Sequence, residues 1–439
     1  MHNPDNSYPS FIDAVKVWVY IGLLSFGGPA AQIALMHRVL VEQKKWLSEK
    51  QYLDALSFCM LLPGPEAMQL ATYAGWRMHG VKGGLAAGLM FVTPGALVVL
   101  ALAMAYETYG QITWVASLFV GVKAAIVVVV IDALVGMSRK ALHNKAHWFI
   151  ALFSFVGIFF FTIPFPIIVL TAGACGYFTA TSLPSGQHRL DTQLLPGVLT
   201  SFKTMILWLT IWLLPLLLLK LCLSANNILL ELGWFFSKLA VVTFGGAYAV
   251  LAYMAQDVVV AQAWLTSGQM MDGLGLAETT PGPLILVTEF VGYLAAYHSA
   301  HNWLVGLAGA LIALWCTFVP CFMWIFTAAP YIAWVNQQPR LKGALTAIMA
   351  AVVGVILNLS IWFALHVFFE QVSFVKYGVL MLWLPNLASL NITSVGLASL
   401  SAWCLLKRGW PIPKVLAAAA LMAFFVAYLD ESYSQAIGL

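Results

Sequence analysis

Long apolar runs, separated by short polar or charged loops, make up most of this chain. With their flanks, several runs reach the roughly 20 apolar residues that a helix needs to cross a bilayer core. The pattern predicts helical membrane segments over residues 11–36, 51–76, 83–105, 112–136, 147–182 and 198–221, and again over 232–254, 268–297, 303–328, 341–367, 376–406 and 411–429. We therefore expect about 10–12 membrane segments, some of them broken.

Helix-breaking residues interrupt two predicted segments in each half of the chain. Pro63-Gly64-Pro65 and Pro281-Gly282-Pro283 are here called the first and second Pro-Gly-Pro turns. Thirty-seven residues before each lies a Phe-Gly-Gly triplet, Phe26-Gly27-Gly28 and Phe244-Gly245-Gly246. Because both pairs of motifs are separated by the same 218 residues, the breaks belong to an internal repeat.

The repeat extends beyond the motifs themselves. Aligned without gaps, residues 26–65 and 244–283 are identical at 15 of 40 positions. Further along, at an offset of 226 residues, Pro94 matches Pro320 and Asp132 matches Asn358. The chain is therefore predicted to consist of an N-terminal repeat, 1–222, and a C-terminal repeat, 223–439.

Loop charges predict how the two repeats are oriented. The loop after the first segment carries Arg38, Lys44, Lys45 and Lys50, whereas its counterpart, 255–267, carries no Lys or Arg. Opposite charge bias at equivalent loops places them on opposite sides of the membrane. The repeats are thus predicted to be inverted, and each Pro-Gly-Pro segment is either a broken span or a re-entrant hairpin.

Composition agrees with a lipid environment. The 439 residues are 62% hydrophobic and only 9% charged, with a mean hydropathy of +0.89. Soluble domains carry about 25% charged residues, so this chain cannot cover a globular surface with polar groups. The predicted fold class is an all-α polytopic membrane protein with two inverted-topology repeats and broken or re-entrant helices. The net charge of +4 says little about partners, because positive-inside loops alone produce a modest excess of Lys and Arg. No basic tract or zinc spacing points to nucleic acid, the six scattered cysteines suggest no disulfide framework or metal site, and no cofactor is expected.

Broken helices within a membrane predict a binding site. Proline removes a backbone donor, and unpaired backbone groups are tolerated in the bilayer only where protein or a water-filled cavity covers them. Half-helices that begin at such breaks present free N–H groups and a positive dipole end to an anion. Inverted repeats with discontinuous helices are typical of secondary transporters. The alternative is that the duplication retains its breaks for packing alone.

The candidate site residues follow from these breaks and from charged residues within the predicted spans. The predicted substrate-binding residues are Phe26, Gly27, Gly28, Pro63, Gly64, Pro65, Arg77, Thr93, Lys123, Phe244, Gly245, Gly246, Thr279, Thr280, Pro281, Gly282 and Pro283. The candidates for carrying a coupling proton are Glu66, Glu278 and Asp132, because intramembrane carboxylates are costly and usually functional. Glu66 and Glu278 are alternatively caps of the broken helices. Asp54 and Asp272 are expected to cap helices or pair in loops.

At these motifs the sequence resembles the chromate ion transporter family in its long, duplicated form. The resembling stretches are Ser25–Ala30, Leu61–Glu66, Gly75–Arg77, His79-Gly80, Gly83–Leu85 and Phe91–Gly95, and then Thr243–Tyr248, Leu276–Pro283, Thr317–Pro320 and Ala351–Asn358. The resemblance implies a multi-pass protein of the inner (plasma) membrane that exports chromate, driven by the proton motive force. Its partners would be chromate or a sulfate-like oxyanion, protons and the lipid bilayer, and a homodimer is left open.

Two other classes of function remain at this point. A passive anion channel would use the same half-helix site, and sulfate is an isosteric tetrahedral dianion that the same site would accept. A membrane-embedded enzyme is not favoured, because the sequence contains no metal cluster, nucleophile–base arrangement or cofactor motif.

Overall fold

A computed structural model describes residues 9–110, 112–180, 198–224, 227–244, 247–335, 338–378 and 380–437 of the chain. Helices make up nearly all of these residues, which confirms the predicted all-α polytopic class. Six helices within the described ranges are long and apolar enough to cross a membrane, and five shorter apolar helices accompany them. The predicted total of crossings stays a prediction.

The α-helices are, in chain order, α1 (Phe11–Leu24), α2 (Gly28–His37), α3 (Glu49–Cys59), α4 (Glu66–Tyr109), α5 (Thr113–Ala141), α6 (Lys145–Phe161), α7 (Phe165–Thr179), α8 (Val198–Cys222), α9 (Ile228–Val242), α10 (Ala247–Gln256), α11 (Ser267–Thr279), α12 (Val287–Ala300), α13 (Trp303–Ala328), α14 (Ile332–Val335), α15 (Pro339–Phe368), α16 (Ile392–Ala402) and α17 (Ile412–Ile437). Two strands, β1 (Val372–Tyr377) and β2 (Leu380–Pro385), form an antiparallel hairpin between α15 and α16.

Local structure is repeated in the two halves of the chain. α1, α2 and α3 are matched in order by α9, α10 and α11, and a π-helical turn follows both α2 and α10. Ser48 and Gln51 form a capping box at the start of α3. Thr266 and Gln269, 218 residues later, make the same pair of bonds before α11. The capping glutamine is therefore one of the identities between the repeats, and Thr266 replaces Ser48 with another hydroxyl residue.

α4 consists of two antiparallel arms. The bend lies at His79 and Gly80, whose backbone is not helical. The arms pack closely at Gly75 and Gly83, where a Cβ on either residue would meet the backbone carbonyl of the other. The predicted segments 51–76 and 83–105 are thus joined by a tight turn.

One predicted helical segment is wrong at its beginning. We expected a helix from residue 376, but the chain forms β1 and β2 there, with Val372 paired to Pro385 and Tyr377 to Leu380. The physical reason is local. β-Branched and aromatic residues favour a strand over 372–377, and Gly378 turns the chain with a positive φ of 62°. The helix α16 starts only at Ile392.

The described residues cluster into two compact units. Unit 1 comprises Met1–Leu100, Thr171–Val250 and Thr280–Ile348, and unit 2 comprises Ala101–Leu170, Leu251–Thr279 and Met349–Leu439. Each unit combines segments from both predicted repeats, so contact clustering does not follow the repeat boundary. The division into repeats 1–222 and 223–439 stays a prediction.

Unit 1 is built around α13, against which α8, α9 and α12 pack. Trp208 of α8 stacks on Phe322 of α13 at a centroid distance of 5.7 Å, and it also contacts Phe326. The second arm of α4 passes the same aromatic pair at Gly84 and Gly88. This aromatic packing positions α4 against α13 next to the Pro-Gly-Pro turns.

Unit 2 is built around α5, which packs against α11, α16 and α17. Residues 124–130 of α5 are all buried. The strand β2 packs against α6 in the same unit. A buried, apolar α5 therefore leaves few positions for charge, and Lys123 is one of them.

Candidate functional site

Two reciprocal backbone hydrogen bonds hold the Pro-Gly-Pro turns within unit 1. The N–H of Gly64 donates to the carbonyl of Thr243 at 2.9 Å, and the N–H of Gly282 donates to the carbonyl of Ser25 at 2.8 Å. Ser25 and Thr243 directly precede the two Phe-Gly-Gly triplets. Each Pro-Gly-Pro turn is therefore bonded to the residue that precedes the triplet of the other repeat.

Side chains repeat this arrangement at the two acceptor residues. The hydroxyl of Ser25 donates to the carbonyl of Ile21 at 2.6 Å, and that of Thr243 donates to the carbonyl of Leu239 at 2.5 Å. Both residues are buried. The hydroxyls turn back onto their own helices, which leaves the backbone carbonyls to accept the bonds from the turns.

The proline-containing helices also exchange contacts between the repeats. A Cβ at Gly95, the residue after Pro94, would meet the carbonyl oxygen of Pro281. A Cβ at Gly64 would lie 3.0 Å from the sulfur of Cys321, the residue after Pro320. A two-fold relation between the repeats predicts this exchange, although the inverted orientation itself stays a prediction.

Glycine is required at the centre of both turns. Gly64 has a φ of +120° and Gly282 a φ of +92°, a region that other residues rarely adopt. Both turns are fully buried. In the first triplet Gly27 and Gly28 also have positive φ, whereas Gly245 and Gly246 of the second triplet lie outside the described residues.

Two buried glutamines stabilise carbonyl groups of the turns. Gln32 donates to the carbonyl of Gly282 at 2.6 Å, and Gln69 donates to the carbonyl of Pro63 at 2.7 Å. Their side-chain oxygens are buried and have no hydrogen-bond partner among the described residues. The site therefore contains two acceptors that a water molecule or a protonated ligand would satisfy. Our sequence interpretation missed both glutamines, because neither occurs at a repeated position.

Helices begin immediately after the breaks. α2 starts at Gly28, α4 at Glu66 and α10 at Ala247, and a 3₁₀ turn at Leu284–Leu286 leads from the second Pro-Gly-Pro turn into α12. The first-turn N–H groups of a helix have no acceptor within the helix. The hydroxyl of Tyr248 in α10 lies 3.8 Å from the position that a Cβ of Gly28 would occupy. Chemically, this arrangement is suited to binding an anion through backbone dipoles.

The predicted carboxylates and threonines adjoin the turns in different ways. Glu66 is the half-buried first residue of α4, and Glu278 is only 3% exposed near the end of α11. Thr279 ends α11 and donates its hydroxyl to the carbonyl of Leu276 at 2.9 Å. Thr280 is buried and directly precedes Pro281. These residues are therefore neighbours of the turns in sequence.

Other predicted residues have exposed side chains. Arg77 is exposed beside the bend of α4, about 16 Å along the helix from Glu66. Thr93 is exposed and donates its hydroxyl to the carbonyl of Leu89, and Phe26 is 39% exposed. Asp132 is exposed on α5 in unit 2.

Lys123 also belongs to unit 2, where it forms an ion pair with Asp272 at 3.4 Å. The expectation that Asp272 caps a helix or pairs in a loop is wrong. Its side chain is buried, and it also accepts a hydrogen bond from Tyr106 at 2.8 Å. A signal was available, because Asp272 is the one charged residue in the stretch 268–277. Within the part of the chain that the structure describes, no cluster of His, Cys, Asp or Glu is suited to a metal ion.

The fold and the paired breaks define a class: a polytopic α-helical membrane protein with discontinuous helices that meet at buried turns. The chain matches the family described as "Chromate transporter" over residues 12–177 and 230–428. Because these ranges cover well over half of the chain, the protein belongs to that family.

Similar proteins carry related names. The chain is 30% identical over 430 residues to a chromate transport protein of Pseudomonas aeruginosa, covering 96% of this chain and 93% of that protein. It is 30% identical over 359 residues to the chromate transport protein of Cupriavidus metallidurans, covering 78% and 80%. A probable chromate transport protein of Synechococcus elongatus is 28% identical over 412 residues, covering 92% and 93%. No solved structure matches the chain.

Proposed function

We propose that this protein is a secondary active transporter that exports chromate across the inner membrane, driven by the proton motive force. The observation that carries the proposal is the reciprocal bonding of the two Pro-Gly-Pro turns to the residues before the Phe-Gly-Gly triplets. This bonding brings several helix N-termini together in unit 1. Membership of the family and the names of the similar proteins support chromate as the substrate.

The oxyanion would bind between the Phe-Gly-Gly and Pro-Gly-Pro breaks of both repeats. Backbone N–H groups at the starts of α2 and α4 would donate to its oxygens, with Thr280 and the Tyr248 hydroxyl nearby. A site made of backbone dipoles recognises charge and tetrahedral shape without a fixed cation. Sulfate has the same shape and charge, so the same site would accept it as a competitor.

Chromate accumulation in cells tests both the substrate and the direction. Cells with and without the protein are exposed to chromate, and sulfate and molybdate are added as competitors. We expect less chromate in cells that contain the protein. Higher accumulation would instead support uptake, and unchanged accumulation would remove chromate as the substrate. Complete competition by sulfate would favour the alternative of a general oxyanion transporter.

A carboxylate beside a turn is the proposed proton carrier. Glu66 or Glu278 would exchange a proton with solvent on alternate sides of the membrane, because each adjoins a buried break. Glu66→Gln is expected to abolish pH-dependent transport and to leave the protein folded, as measured by chromate flux into inverted vesicles. Unchanged proton-driven flux in this variant would contradict the role of Glu66.

Parallel measurements on Glu278→Gln and Asp132→Asn distinguish the three candidate carboxylates.

A passive channel is recognised in the same vesicles. A channel moves chromate only down its electrochemical gradient until equilibrium is reached, whereas a coupled exporter accumulates the anion against that gradient.

A further inference from the structure

A buried ion pair in unit 2 is not used by the site described above. The ammonium group of Lys123 on α5 lies 3.4 Å from Oδ1 of Asp272 on α11. The hydroxyl of Tyr106, near the end of α4, donates to Oδ2 of the same carboxylate at 2.8 Å. The Asp272 side chain is 6% exposed and that of Lys123 is 24% exposed. The carboxylate is thus enclosed, and the lysine is the partner that reaches an open space.

That open space is a cleft of about 590 Å³. Its lining includes Lys123, Ser267, His366, Asn391 and Ser394, and Glu370 is an exposed lining residue. A tetrahedral oxyanion is much smaller than this cleft. The cleft therefore has room for an oxyanion together with water beside the ammonium group.

The polar lining of the cleft offers hydrogen-bond donors. Asn391 accepts a bond from the backbone N–H of Ser394 through Oδ1 at 2.8 Å, which leaves its side-chain N–H groups as donors. The position that a Cβ of Gly268 would occupy is 3.7 Å from the Lys123 nitrogen, so the first turn of α11 lies next to the ammonium group. A lysine, an amide and a hydroxyl are groups that bind oxyanions.

In this arrangement Asp272 competes with any anion for the charge of Lys123. While the carboxylate is ionised, the pair is neutral and an oxyanion in the cleft finds little net positive charge. When a proton from the cleft binds Asp272, the carboxylate becomes a neutral acid and Lys123 keeps its full charge. The ammonium group then offsets one of the two negative charges of a tetrahedral dianion.

We propose that this cleft is a second oxyanion-binding site that is opened by protonation of Asp272. The inference rests on the proposed function, since it takes a tetrahedral oxyanion to be the substrate. Proton and oxyanion then bind together, and each raises the affinity of the other by the same factor.

The groups that face this site are few. Lys123 from α5 and Tyr106 from α4 contact Asp272, while His366 and Glu370 line the cleft. The helix α17 also packs against α11, and its residues 415–427 include no ionisable side chain. The Nδ1 of His366 lies 2.9 Å from the carbonyl of Trp362, which assigns the ring proton to that nitrogen. A pH dependence of binding therefore arises from Asp272, His366 or Glu370, and variants separate them.

The test is equilibrium binding of sulfate to the purified full-length protein in lipid nanodiscs, measured by calorimetry at acidic and alkaline pH. Sulfate is the probe because it remains a dianion throughout, whereas chromate itself takes up a proton. The proposal predicts that, at acidic pH, the wild type binds two sulfates per chain, one at the Pro-Gly-Pro turns and one in the cleft. The affinity of the cleft site should fall about tenfold or more at alkaline pH.

Asp272→Asn should bind sulfate in the cleft tightly at both pH values, whereas Lys123→Gln should retain only the other site. The double variant removes both charges together and guards against a misfolded single variant. It should be as stable as the wild type and also lack the cleft site. Asp54→Asn is the matched control, because Asp54 occupies the equivalent position of the first repeat but is exposed.

A second site in Lys123→Gln, or wild-type pH dependence in Asp272→Asn, would overturn the inference. Dependence lost in His366→Gln or Glu370→Gln, but kept in Asp272→Asn, would also overturn it. These outcomes leave the proposed function intact. Absence of all sulfate and chromate binding by the wild type would instead overturn the proposed function as well.

Discussion

The two Pro-Gly-Pro turns make equivalent backbone hydrogen bonds but have different residues next to them in sequence. Gly64 and Gly282 make equivalent bonds to the opposite repeat. The first turn is followed by the half-buried Glu66, whose counterpart 218 residues later is the buried Leu284. The second is preceded by Glu278, whose counterpart is Met60. The duplication has kept the backbone bonds. In sequence, however, a carboxylate follows the first turn, whereas a carboxylate precedes the second.

Under the proposed function, this difference would separate oxyanion binding from proton exchange. The shared backbone is suited to binding the oxyanion in the same way from either repeat. The unshared carboxylates would let one repeat respond to protons differently from the other. The comparison therefore predicts similar effects of backbone variants in the two turns and dissimilar effects of Glu66 and Glu278 variants.

The largest effects are expected from Gly282→Ala and Gly64→Ala. A side chain at these positive φ angles costs about 1–3 kcal/mol of stability. The new Cβ of Gly282→Ala would also lie 3.2 Å from the backbone Cα of Gly95, whereas that of Gly64→Ala would meet mainly the ends of the Gln69 and Cys321 side chains. We expect both variants to lose chromate transport at least about tenfold, and Gly282→Ala to lose more stability. SDS titration in mixed micelles measures the free energy of unfolding.

Gly136→Ala is the control for these variants, because Gly136 is helical and nothing lies within 4 Å of its would-be Cβ. It should be as stable as the wild type or slightly more so. Wild-type stability and transport in both turn variants would show that neither turn is constrained.

Intermediate effects are expected from Gln32→Leu and Gln69→Leu. Each removes a donor to a turn carbonyl, and an unsatisfied buried carbonyl costs about 1–3 kcal/mol. Gln32 also donates to the Ser25 carbonyl at 3.4 Å, so its loss should destabilise more than that of Gln69. Gln43→Leu, at an exposed position, serves as the control in the same SDS titration. Equal stability of all three variants would mean that the glutamines do not support the turns.

The smallest effects are expected from Ser25→Ala and Thr243→Ala. These changes remove hydroxyl groups that bond their own helices but keep the carbonyls that accept from Gly282 and Gly64. A loss of about 0.5–1.5 kcal/mol, similar in both variants, is expected in the SDS titration. Transport should persist. Loss of transport in one variant alone would indicate that its hydroxyl contacts the substrate.

Much of this architecture was predictable from the sequence. Apolar runs predicted the membrane segments, and the repeated helix breakers predicted where α1, α3, α9 and α11 end. Those signals are local: they depend on residue type and spacing, and the repeat doubled them. The same signals also led us to expect that the breaks cluster, since broken backbone in a membrane needs hydrogen-bonding partners, and the Pro-Gly-Pro turns do meet the other repeat within unit 1.

What the sequence did not predict depends on contacts between distant residues. Asp272 looked like a cap because its neighbours along the chain resemble those of Asp54, yet the two residues have different burial. The pairing with Lys123 spans 149 residues, and no local pattern reports it. Gln32 was missed for the same reason, because it donates to Gly282, 250 residues away. Gln69 donates to the nearby Pro63 and was missed because it does not occur at a repeated position. The hairpin of β1 and β2 was obscured because a short apolar strand and a short apolar helix have similar composition.

Chromate exchange by the reconstituted protein tests whether the paired breaks form the oxyanion site. Proteoliposomes loaded with unlabelled chromate are placed in radiolabelled chromate, so exchange requires a pathway through the oxyanion site but neither a driving force nor a direction. We expect exchange by the wild type and by Gly136→Ala, and its loss in both Gly64→Ala and Gly282→Ala when these variants are folded. Exchange at the wild-type rate in the two folded turn variants would contradict the claim that the paired breaks form the oxyanion site.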